Sequence, residues 1–337
     1  MTFSKTKIKF GVIGCSKVAQ RYFFPAVNSS EIASLEIIGS RSKEKAEEWA
    51  RQNNCKLSGN YEEVLKSNAD AVYISLPIGL HEEFVIKAAE AGKHVLCEKS
   101  STVSFESAKR MVESCKKNNV RLLEGFSFRF HPQHDLVLEY IQNEHLGTIS
   151  NFYGMYGFPL PPSNDDFRWK KELGGGVLND VTCYPICASR VIFQSEPISV
   201  TSHLEYDKTR LVDIRNSIFM LYPKNKTAFI SSGFNNYYQS SYSIWGSKAR
   251  ITTKRSYAVP KNFVTSIYFH QDDEIKEIKI PEVDQFKIML EKFCEPILGY
   301  NSSCFNFEDD LIAQAKVMEA IRLSHHEKRV VILNEIK

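Results

Sequence analysis

The chain has 337 residues, of which 43% are hydrophobic and 25% charged; at about 100–200 residues per domain this predicts two folded domains and excludes a disordered or fibrous protein. Its 43 lysines and arginines balance 40 aspartates and glutamates, so a formal net charge of +3 offers no strongly basic surface for nucleic acid or an anionic membrane. We therefore expect a small, roughly neutral partner.

The N-terminal residues and the cysteines indicate in which cellular compartment the protein is expected. The stretch Met1–Ile8 contains no apolar core of a signal peptide, and no segment reaches the roughly 18 consecutive apolar residues of a spanning helix. Neither a disulfide framework nor a zinc site is indicated, because no CxxC pair occurs among the eight cysteines, which are Cys15, Cys55, Cys97, Cys115, Cys183, Cys187, Cys294 and Cys304. We expect a cytoplasmic protein with reduced thiols and no bound metal.

The first third of the chain alternates short apolar runs with stretches of helical period, such as Lys43–Asn53 and His81–Ala91. This alternation is typical of βαβ units and predicts a doubly wound parallel sheet of the Rossmann type. The predicted strands are Ile8–Ile13, Leu35–Gly39, Ala71–Leu76, His94–Cys97 and Arg121–Glu124.

The pattern changes near Gly147, where strand-like runs follow one another without helices between neighbours. This predicts a large open antiparallel sheet with one solvated face, accompanied by one helix after Gly174–Gly176 and another over Glu308–His325. We therefore predict an α/β domain over residues 1–124, an α+β domain over residues 125–337, and a ligand cleft between them. The predicted strands are Ile149–Tyr156, Ile198–Tyr206, Ser217–Tyr222, Thr227–Gly233, Ser241–Trp245, Ala249–Thr253 and Phe263–Phe269.

A glycine-rich turn follows the first predicted strand. The run Gly11–Ala19 is similar to the G-x-G-x-x-G/A turn, in which a dinucleotide pyrophosphate meets the start of a helix. Gly14, Cys15, Ser16 and Ala19 are its candidate binding residues, although Ser16 stands at the second glycine position. The alternative is an ordinary turn between a strand and a helix.

The second strand ends in Ser40 and Arg41, where NAD-binding sheets usually carry an acidic residue for the ribose. A hydroxyl followed by a guanidinium suits a 2′-phosphate, because arginine presents a planar fork of donors to phosphate oxygens. This favours NADP, with NAD as a possible cofactor. The alternative is that Arg41 is a solvated surface residue and Ser42 caps the next helix.

Two further segments end strands of the same sheet. The first contains Leu76, Pro77 and His81, and the second contains Glu98 and Lys99. Because open α/β sheets bind ligands at the carboxyl ends of their strands, both segments are candidates for the cofactor site. On residue type alone, Glu98 and Lys99 would be an ordinary surface pair.

A glycine triplet opens the segment Gly174–Pro185. If the residues after it are helical, Asp180 and Tyr184 share one face, and Pro185 bends or offsets the helix. The alternative is a capped helix in which Tyr184 is a packing residue.

With these motifs in order, the sequence resembles the Gfo/Idh/MocA oxidoreductase family over nearly its whole length. The family's E-K-P element corresponds to Glu98–Ser100, with Ser100 in place of proline, and its G-G-G-x-x-x-D-x-x-x-H/Y element corresponds to Gly174–Tyr184. The tyrosine resembles the branch that contains sugar 3-ketoreductases and NADP-dependent xylose and dihydrodiol dehydrogenases. Shorter segments resemble the ketoreductases most, and they include Phe130–His134, Pro161–Pro162, Asn236–Tyr238 and Asp284–Phe286.

The resemblance implies reduction of a keto group on a sugar by NADPH, most closely on a nucleotide-linked 3-keto-deoxysugar. Reduction leaves negative charge on the carbonyl oxygen, so the site needs an electrophile and a proton donor. We assign Tyr184 as general acid, Lys99 as the cation that assists it and holds the substrate, and Asp180 as an orienting group.

The same resemblance adds residues at the edges of the site. The pair Arg168 and Trp169 is a candidate for closing over the nicotinamide or contacting the substrate, with a surface arginine beside a core aromatic residue as the alternative. His131, His134 and Tyr237 are candidates for the sugar site. We expect the open sheet to be buried in a homodimer or homotetramer.

Two other functions remain open. One is an NADP-dependent dehydrogenase of a free aldose or cyclic diol, and the other is a non-catalytic NADP-binding regulator. Retention of Lys99, Asp180 and Tyr184 together argues against the regulator. The sequence names neither the sugar, its nucleotide, the carbon reduced nor the physiological direction.

Overall fold

The computed structural model describes residues 7–300 and 305–337, which form two compact units. The first unit contains the described residues as far as Ser127 together with those of Phe286–Ile312, and the second contains Phe128–Gln285 and Ala313–Lys337. The division predicted after residue 124 assigned all later residues to the second domain, whereas Phe286–Ile312 groups with the first unit. Cys304 and residues 1–6 lie outside the described residues.

The first unit contains a six-stranded parallel sheet with the order β3-β2-β1-β4-β5-β6. This is the doubly wound Rossmann order, so the predicted fold class is confirmed. The short β3, which has one buried residue, was not predicted from the sequence. The strands are β1 (Ile8–Ile13), β2 (Ala33–Gly39), β3 (Leu57–Gly59), β4 (Ala71–Ile74), β5 (His94–Cys97) and β6 (Leu122–Glu124).

The α-helices connect and cover the strands of both units. Two turns of π-helix, at Ala19–Phe23 and Leu178–Thr182, run directly into the helices that follow them. The α-helices are α1 (Phe24–Ser29), α2 (Lys43–Gln52), α3 (Tyr61–Lys66), α4 (His81–Glu90), α5 (Phe105–Lys117), α6 (Pro132–Gln142), α7 (Cys183–Phe193), α8 (Gln285–Ile297) and α9 (Phe307–Glu327).

An aromatic cluster explains why the late segment belongs to the first unit. Phe23 is fully buried and stacks on Tyr73 with ring centroids 3.9 Å apart, and Phe286 meets both rings edge-on. Phe293 of α8 is also fully buried, 6.1 Å from the ring of Phe10 in β1. Because burial of a phenylalanine side chain is worth about 1.5–3 kcal/mol, α8 is part of this core rather than an appendage.

The second unit contains a nine-stranded sheet with the order β14-β13-β12-β11-β7-β10-β9-β8-β15. The prediction of an antiparallel sheet is confirmed for most of it, but β7 and β10 pair in parallel at its centre. Strands β14 and β15 were not predicted. The strands are β7 (Ile149–Gly157), β8 (Ser199–Tyr206), β9 (Asp213–Leu221), β10 (Thr227–Gly233), β11 (Gln239–Gly246), β12 (Arg250–Thr253), β13 (Thr265–Gln271), β14 (Glu274–Ile280) and β15 (Val331–Ile332).

The two faces of this sheet differ in composition and burial. One face carries buried apolar residues such as Phe152, Met220 and Ile244, and α7 packs against it at β7 and β10. The other face exposes Met155, Phe229 and Trp245. Across both described ranges, no helix combines the length and the apolar character needed to span a lipid bilayer.

Candidate functional site

The turn after β1 lies at the carboxyl edge of the parallel sheet. Gly14 has a φ of +105°, and a Cβ there would lie 3.0 Å from the carbonyl oxygen of Ser75 and 2.9 Å from Leu76. The Ser75 hydroxyl donates to the Gly14 carbonyl oxygen over 2.8 Å. Glycine is therefore required here by both backbone conformation and space, which brings the ends of β1 and β4 together.

Ser16 occupies the second glycine position of the motif, and the structure gives it a local role. Its Oγ accepts a hydrogen bond from the backbone N–H of Ala19 over 3.0 Å, as a residue that caps the start of a helix does. The neighbouring Cys15 is half-buried, and its carbonyl oxygen accepts from Lys45 Nζ over 3.0 Å. Burial raises the pKa of the Cys15 thiol, although Lys45 and Ser40 act in the opposite direction.

The end of β2 gathers hydroxyl and cationic groups. Ser40 is buried and accepts a hydrogen bond from the backbone N–H of Ser42, while the side chains of Arg41 and Lys45 are exposed. Ser42 also caps α2 by accepting from the N–H of Lys45, and this cap is compatible with a phosphate bound by Ser40 and Arg41. Burial raises the pKa of Tyr61, and the guanidinium of Arg41 beside its phenol opposes that shift. Two cations and a hydroxyl at one strand end form a donor set that fits a phosphate group.

The loop after β5 contains Lys99, which is half-buried, and the Lys99–Ser100 peptide bond is cis. Glu98 is buried and accepts a 2.7 Å hydrogen bond from the Tyr73 hydroxyl. The backbone N–H of Ser101 donates over 2.7 Å to Glu124 at the end of β6. The loop is thus anchored on both sides of Lys99 by buried carboxylates of its own unit.

His81 connects two of these strand ends. Its Nε2 lies 2.8 Å from the carbonyl oxygen of Leu76, and its Nδ1 lies 3.1 Å from that of Ser100. Two carbonyl partners would favour an imidazolium with two N–H groups, but complete burial outweighs them and lowers the pKa of His81 to about 4. The neutral ring therefore donates to one carbonyl oxygen, and the shorter contact to Leu76 suits that bond.

In the second unit, the glycine triplet leads into a continuous helical segment that begins with the π-turn Leu178–Thr182 and continues as α7. The N–H of Gly176 donates to the carbonyl oxygen of Arg168 over 2.9 Å. A Cβ on Gly175 would lie 2.5 Å from the same oxygen, so the triplet permits a close backbone approach.

Asp180 forms an ion pair within this unit. Arg168 Nε donates to Asp180 Oδ2 over 2.6 Å, and Arg168 also contacts Asp166 and lies over the ring of Phe167. Asp180 is 6% exposed. Burial opposes the charge of Arg168, but the two carboxylates outweigh it and raise the pKa of the guanidinium. Because Asp180 is held by Arg168, the carboxylate has a fixed orientation.

Tyr184 stands one turn beyond Asp180 on the same helical segment and is half-buried. Its ring lies among those of Tyr156, Phe128 and Tyr257, with centroids 5.3, 5.7 and 5.9 Å away. Pro185 packs against Gly154 of β7, where a Cβ would lie 2.7 Å from its side chain. The ring of Tyr184 thus packs against three aromatic rings of its own unit.

The remaining predicted residues have different environments. His134 is buried, and its two ring nitrogens contact the Tyr242 hydroxyl at 2.9 Å and the Ser256 carbonyl oxygen at 3.0 Å. His131 is fully buried as the residue that caps α6, and Trp169 is buried against Phe234. Tyr237, by contrast, is 92% exposed. Both ring nitrogens of His134 therefore have partners within the second unit, and the ligand-site roles of these residues stay predictions.

Three residues near these groups were missed from the sequence. Lys45 lies one residue after Glu44 in the first turn of α2, where a lysine looks like part of a solvated helix face. Tyr61 follows the unpredicted strand β3. Asp213, which contacts Gly176 and Leu178, is a single acidic residue at the start of a strand. Of the three, only Lys45 could have been identified from the sequence, because it closely follows the candidate phosphate-binding residues Ser40 and Arg41.

Together, these groups define a class of protein. The strand order of the first unit, its glycine turn and the phosphate-compatible donors after β2 are those of a dinucleotide-binding enzyme. The second unit separately holds a carboxylate oriented by Arg168 and a half-buried tyrosine, Tyr184, on one helical segment. Among the described side chains, no group of three histidine, cysteine or acidic residues is arranged to hold a metal ion.

Comparison with known proteins agrees with this class. Residues 8–126 match the oxidoreductase family with an NAD-binding Rossmann fold, and residues 134–252 match the GFO/IDH/MocA C-terminal domain. The chain belongs to the GFO/IDH/MocA oxidoreductase family, as the sequence motifs implied.

Three relatives illustrate the likeness. A dTDP-3,4-didehydro-2,6-dideoxy-alpha-D-glucose 3-reductase of Saccharopolyspora spinosa is 31% identical, over 93% of this chain and 96% of its own length. A D-xylose 1-dehydrogenase (NADP(+)) of Haloferax volcanii is 30% identical, over 86% of this chain and 88% of its own. The crystal structure of KijD10, a 3-ketoreductase from Actinomadura kijaniata in complex with NADP and TDP-benzene, has a TM-score of 0.90 at 28% identity and covers 95% of this chain and 98% of its own.

The buried histidines predict a loss of stability in acid. Burial lowers the pKa of His81 from 6.5 to about 4, and it lowers those of His131 and His134 to about 4 and about 3. Below pH 6.5 the unfolded chain binds protons that the folded chain does not, so stability is complete above about pH 6.5 and is lost as the pH falls toward 4. Urea midpoints measured across this range should fall with pH.

The variant His81→Gln should show a shallower decline than the wild type, because one of the three groups no longer titrates. His326 is exposed, so His326→Gln serves as the matched control and should keep the wild-type slope. An unchanged slope in His81→Gln would contradict the assignment of a neutral buried imidazole.

Proposed function

We propose that the protein is an NADPH-dependent sugar oxidoreductase that reduces the keto group of a nucleotide-linked 3-keto-deoxysugar. The observation that carries the proposal is the helical segment of the second unit, which holds Tyr184 among three aromatic rings and Asp180 against Arg168. The likeness to the Saccharopolyspora spinosa reductase and to KijD10 supports the substrate class.

The cofactor would be held at the carboxyl edge of the parallel sheet. The turn Gly14–Ser16 and the start of the helix at Ala19 suit a pyrophosphate, because backbone N–H groups at a helix start attract anions. Ser40, Arg41 and Lys45 suit the 2′-phosphate, because together they provide hydroxyl and cationic donors. Leu76, Pro77, His81, Glu98 and Lys99 are proposed to line the rest of this edge.

NADPH, when bound, supplies a hydride that forms the new C–H bond at the carbonyl carbon. As the carbonyl oxygen gains negative charge, Tyr184 donates its phenolic proton to form the hydroxyl group. Lys99 stabilises both the developing charge on oxygen and the phenolate left behind. Asp180, fixed by Arg168, orients a hydroxyl group of the substrate by accepting its hydrogen bond. In the oxidative direction the Tyr184 phenolate, stabilised by Lys99, accepts the proton of the substrate hydroxyl group as the hydride leaves its carbon for the oxidised cofactor.

A second candidate function is the NADP-dependent oxidation of a free aldose, which the 30% identity to the Haloferax volcanii xylose dehydrogenase supports. The two candidates differ in whether turnover requires a nucleotide on the substrate. A screen of dTDP-linked keto-sugars, free aldoses and cyclic diols, followed by NADPH absorbance in both directions, distinguishes them. Turnover of free sugars alone would replace the first candidate by the second.

We expect NADPH to bind more tightly than NADH, because Ser40, Arg41 and Lys45 follow β2 where NAD-specific sheets carry a carboxylate. Isothermal titration of the purified protein with each cofactor measures the difference. Arg41→Ala should remove most of the preference while leaving NADH affinity unchanged. Lys87→Ala, a change of a partly exposed lysine in α4, is the control, and equal binding of both cofactors by the wild type would contradict the proposal.

We expect Tyr184→Phe to reduce turnover by about 10²–10⁴-fold, because the change removes only the transferable proton of a positioned acid. NADPH affinity should remain at the wild-type value. Lys99→Met should also reduce turnover and should shift the pH profile of the activity that remains.

The double variant tests whether the two groups act together. Its loss should be much smaller than the product of the two single losses, because groups that act as a unit are non-additive. Wild-type turnover in Tyr184→Phe, under conditions where chemistry limits the rate, would show that another group supplies the proton.

We also propose that the open face of the large sheet is covered by a second copy of the chain. Tyr153 and Phe219 each pack 5.2 Å from Phe229 on this face, and with Met155 and Trp245 they line a concavity of about 1290 Å³. Contiguous apolar surface of this kind marks an interface, and the shallow open shape suits another sheet better than a small ligand.

Light scattering at micromolar concentration should therefore give a dimer or tetramer. Trp245→Glu places a charge on the exposed apolar face and should shift the protein toward the monomer. Leu57→Glu changes an apolar residue of the first unit with similar exposure, 48% against 55% for Trp245, and should leave the assembly intact. A wild-type monomer would contradict the proposal.

A further inference from the structure

The helical segment that carries Asp180 and Tyr184 begins without a cap of its own. Val177, the residue before the π-turn, makes no hydrogen bond from its side chain to the helix start. The N–H of Leu178 lies in the first turn, where N–H groups have no acceptor within the helix. That N–H donates over 2.6 Å to Oδ2 of Asp213, the first residue of β9. The acceptor thus comes from a residue 35 positions further along the chain.

The second oxygen of the same carboxylate packs against the glycine triplet. Gly176 has a φ of +112°, and a Cβ on it would lie 2.1 Å from Asp213 Oδ1. No other residue type could occupy position 176 while Asp213 keeps its place. The carboxylate is therefore confined between the Leu178 N–H and the Cα of Gly176, which fixes where the helical segment starts.

Three further polar or charged groups lie near Asp213 on its own strand, on β8 and on α9. Asn216 lies on its own strand, Tyr206 is its partner residue on β8, and Arg322 approaches from α9. Arg322 also donates over 2.7 Å to Asn179 Oδ1 in the π-turn. Asp213 is 7% exposed, and burial raises its pKa to about 6, while the Leu178 N–H, Arg322 and Asn216 oppose the shift.

We propose that Asp213 is a positioning residue for the reaction, because its carboxylate fixes the first turn of the helical segment and thereby the side chains of Asp180 and Tyr184. This inference rests on the proposed function of Tyr184 as proton donor. An anionic group at the start of a helix is favourable, since it faces the positive end of the helix dipole. Protonation removes that charge and weakens the bond to Leu178.

The first measurement needs no substrate. Amide hydrogen exchange of the intact protein, corrected for the intrinsic effect of pH, reports how firmly residues 177–182 are held. In the wild type these amides should exchange faster as the pH falls through about 6. In Asp213→Asn, which keeps the shape of the side chain but cannot ionise, their exchange should be about 10-fold faster at neutral pH and independent of this titration.

The second measurement is turnover per folded molecule. In Asp213→Asn, kcat should fall by about 10- to 100-fold, the effect expected when reacting groups move by a fraction of an ångström, and the acid limb near pH 6 should disappear. The Kd for NADPH should not change.

Ser324→Ala is the matched control, because Ser324 is also buried in this unit and its Oγ accepts a backbone N–H, that of Ser202. It should lower stability but leave both kcat and its pH profile unchanged. If Asp213→Asn gave the same pH profile of kcat as Ser324→Ala, the role of Asp213 would be structural only, and the inference would be overturned.

Tyr184→Phe separates this inference from the proposed function. It should abolish most turnover while leaving the exchange of residues 177–182 as in the wild type. If Tyr184→Phe keeps full turnover, the proposed function fails whatever Asp213 does. If Tyr184→Phe is inactive but Asp213→Asn retains wild-type kcat and wild-type exchange, only the positioning role of Asp213 fails.

Discussion

The position of the helical segment in the second unit depends on the absence of a side chain at Gly176. A Cβ there would overlap Oδ1 of Asp213, and the displaced carboxylate could no longer accept the Leu178 N–H. Position 175 also requires glycine, because a Cβ there would lie 2.5 Å from the carbonyl oxygen of Arg168. Arg168 in turn holds Asp180. Two adjacent glycines therefore bring a strand, a loop and a helix close enough for one carboxylate and one guanidinium to fix the segment that carries Tyr184.

Local sequence patterns predicted most of the fold because most of its strands and helices are contiguous stretches with a recognisable hydrophobic pattern. Short apolar, β-branched runs located β1, β2, β4, β5 and β6, and their alternation with helices predicted a parallel sheet. The short β3 has a single buried residue, so it has no periodicity to detect. Strand β14 is mostly exposed and rich in charge, which looks like a loop. The parallel pairing of β7 with β10 depends on contacts across about 75 residues, which no local pattern records.

The candidate site was predicted where its residues belong to motifs and missed where they do not. Gly14, Ser40, Glu98 and Lys99 follow strands of one sheet, so the topology that the sequence predicted brought their backbones to one edge. Asp213 has no motif, and its role depends on a contact with Gly176 that only the folded chain reveals. The sequence around His134 resembles a substrate loop, and the structure adds two contacts of its ring with Tyr242 and Ser256, which lie more than 100 residues further along the chain where no local pattern records them.

The position of α8 affects how this protein could be divided or recombined. The core of the first unit contains Phe10 from the start of the chain and Phe293 from near its end, with the second unit's sheet encoded between them. A gene fragment that stops at Ser127 would encode a parallel sheet whose Phe10 lacks that neighbour. Exchange of the first unit between such proteins therefore requires two separate stretches of coding sequence. A single crossover near the middle of the gene would join an N-terminal sheet to an α8 from another protein, and the two would not have been selected to pack together.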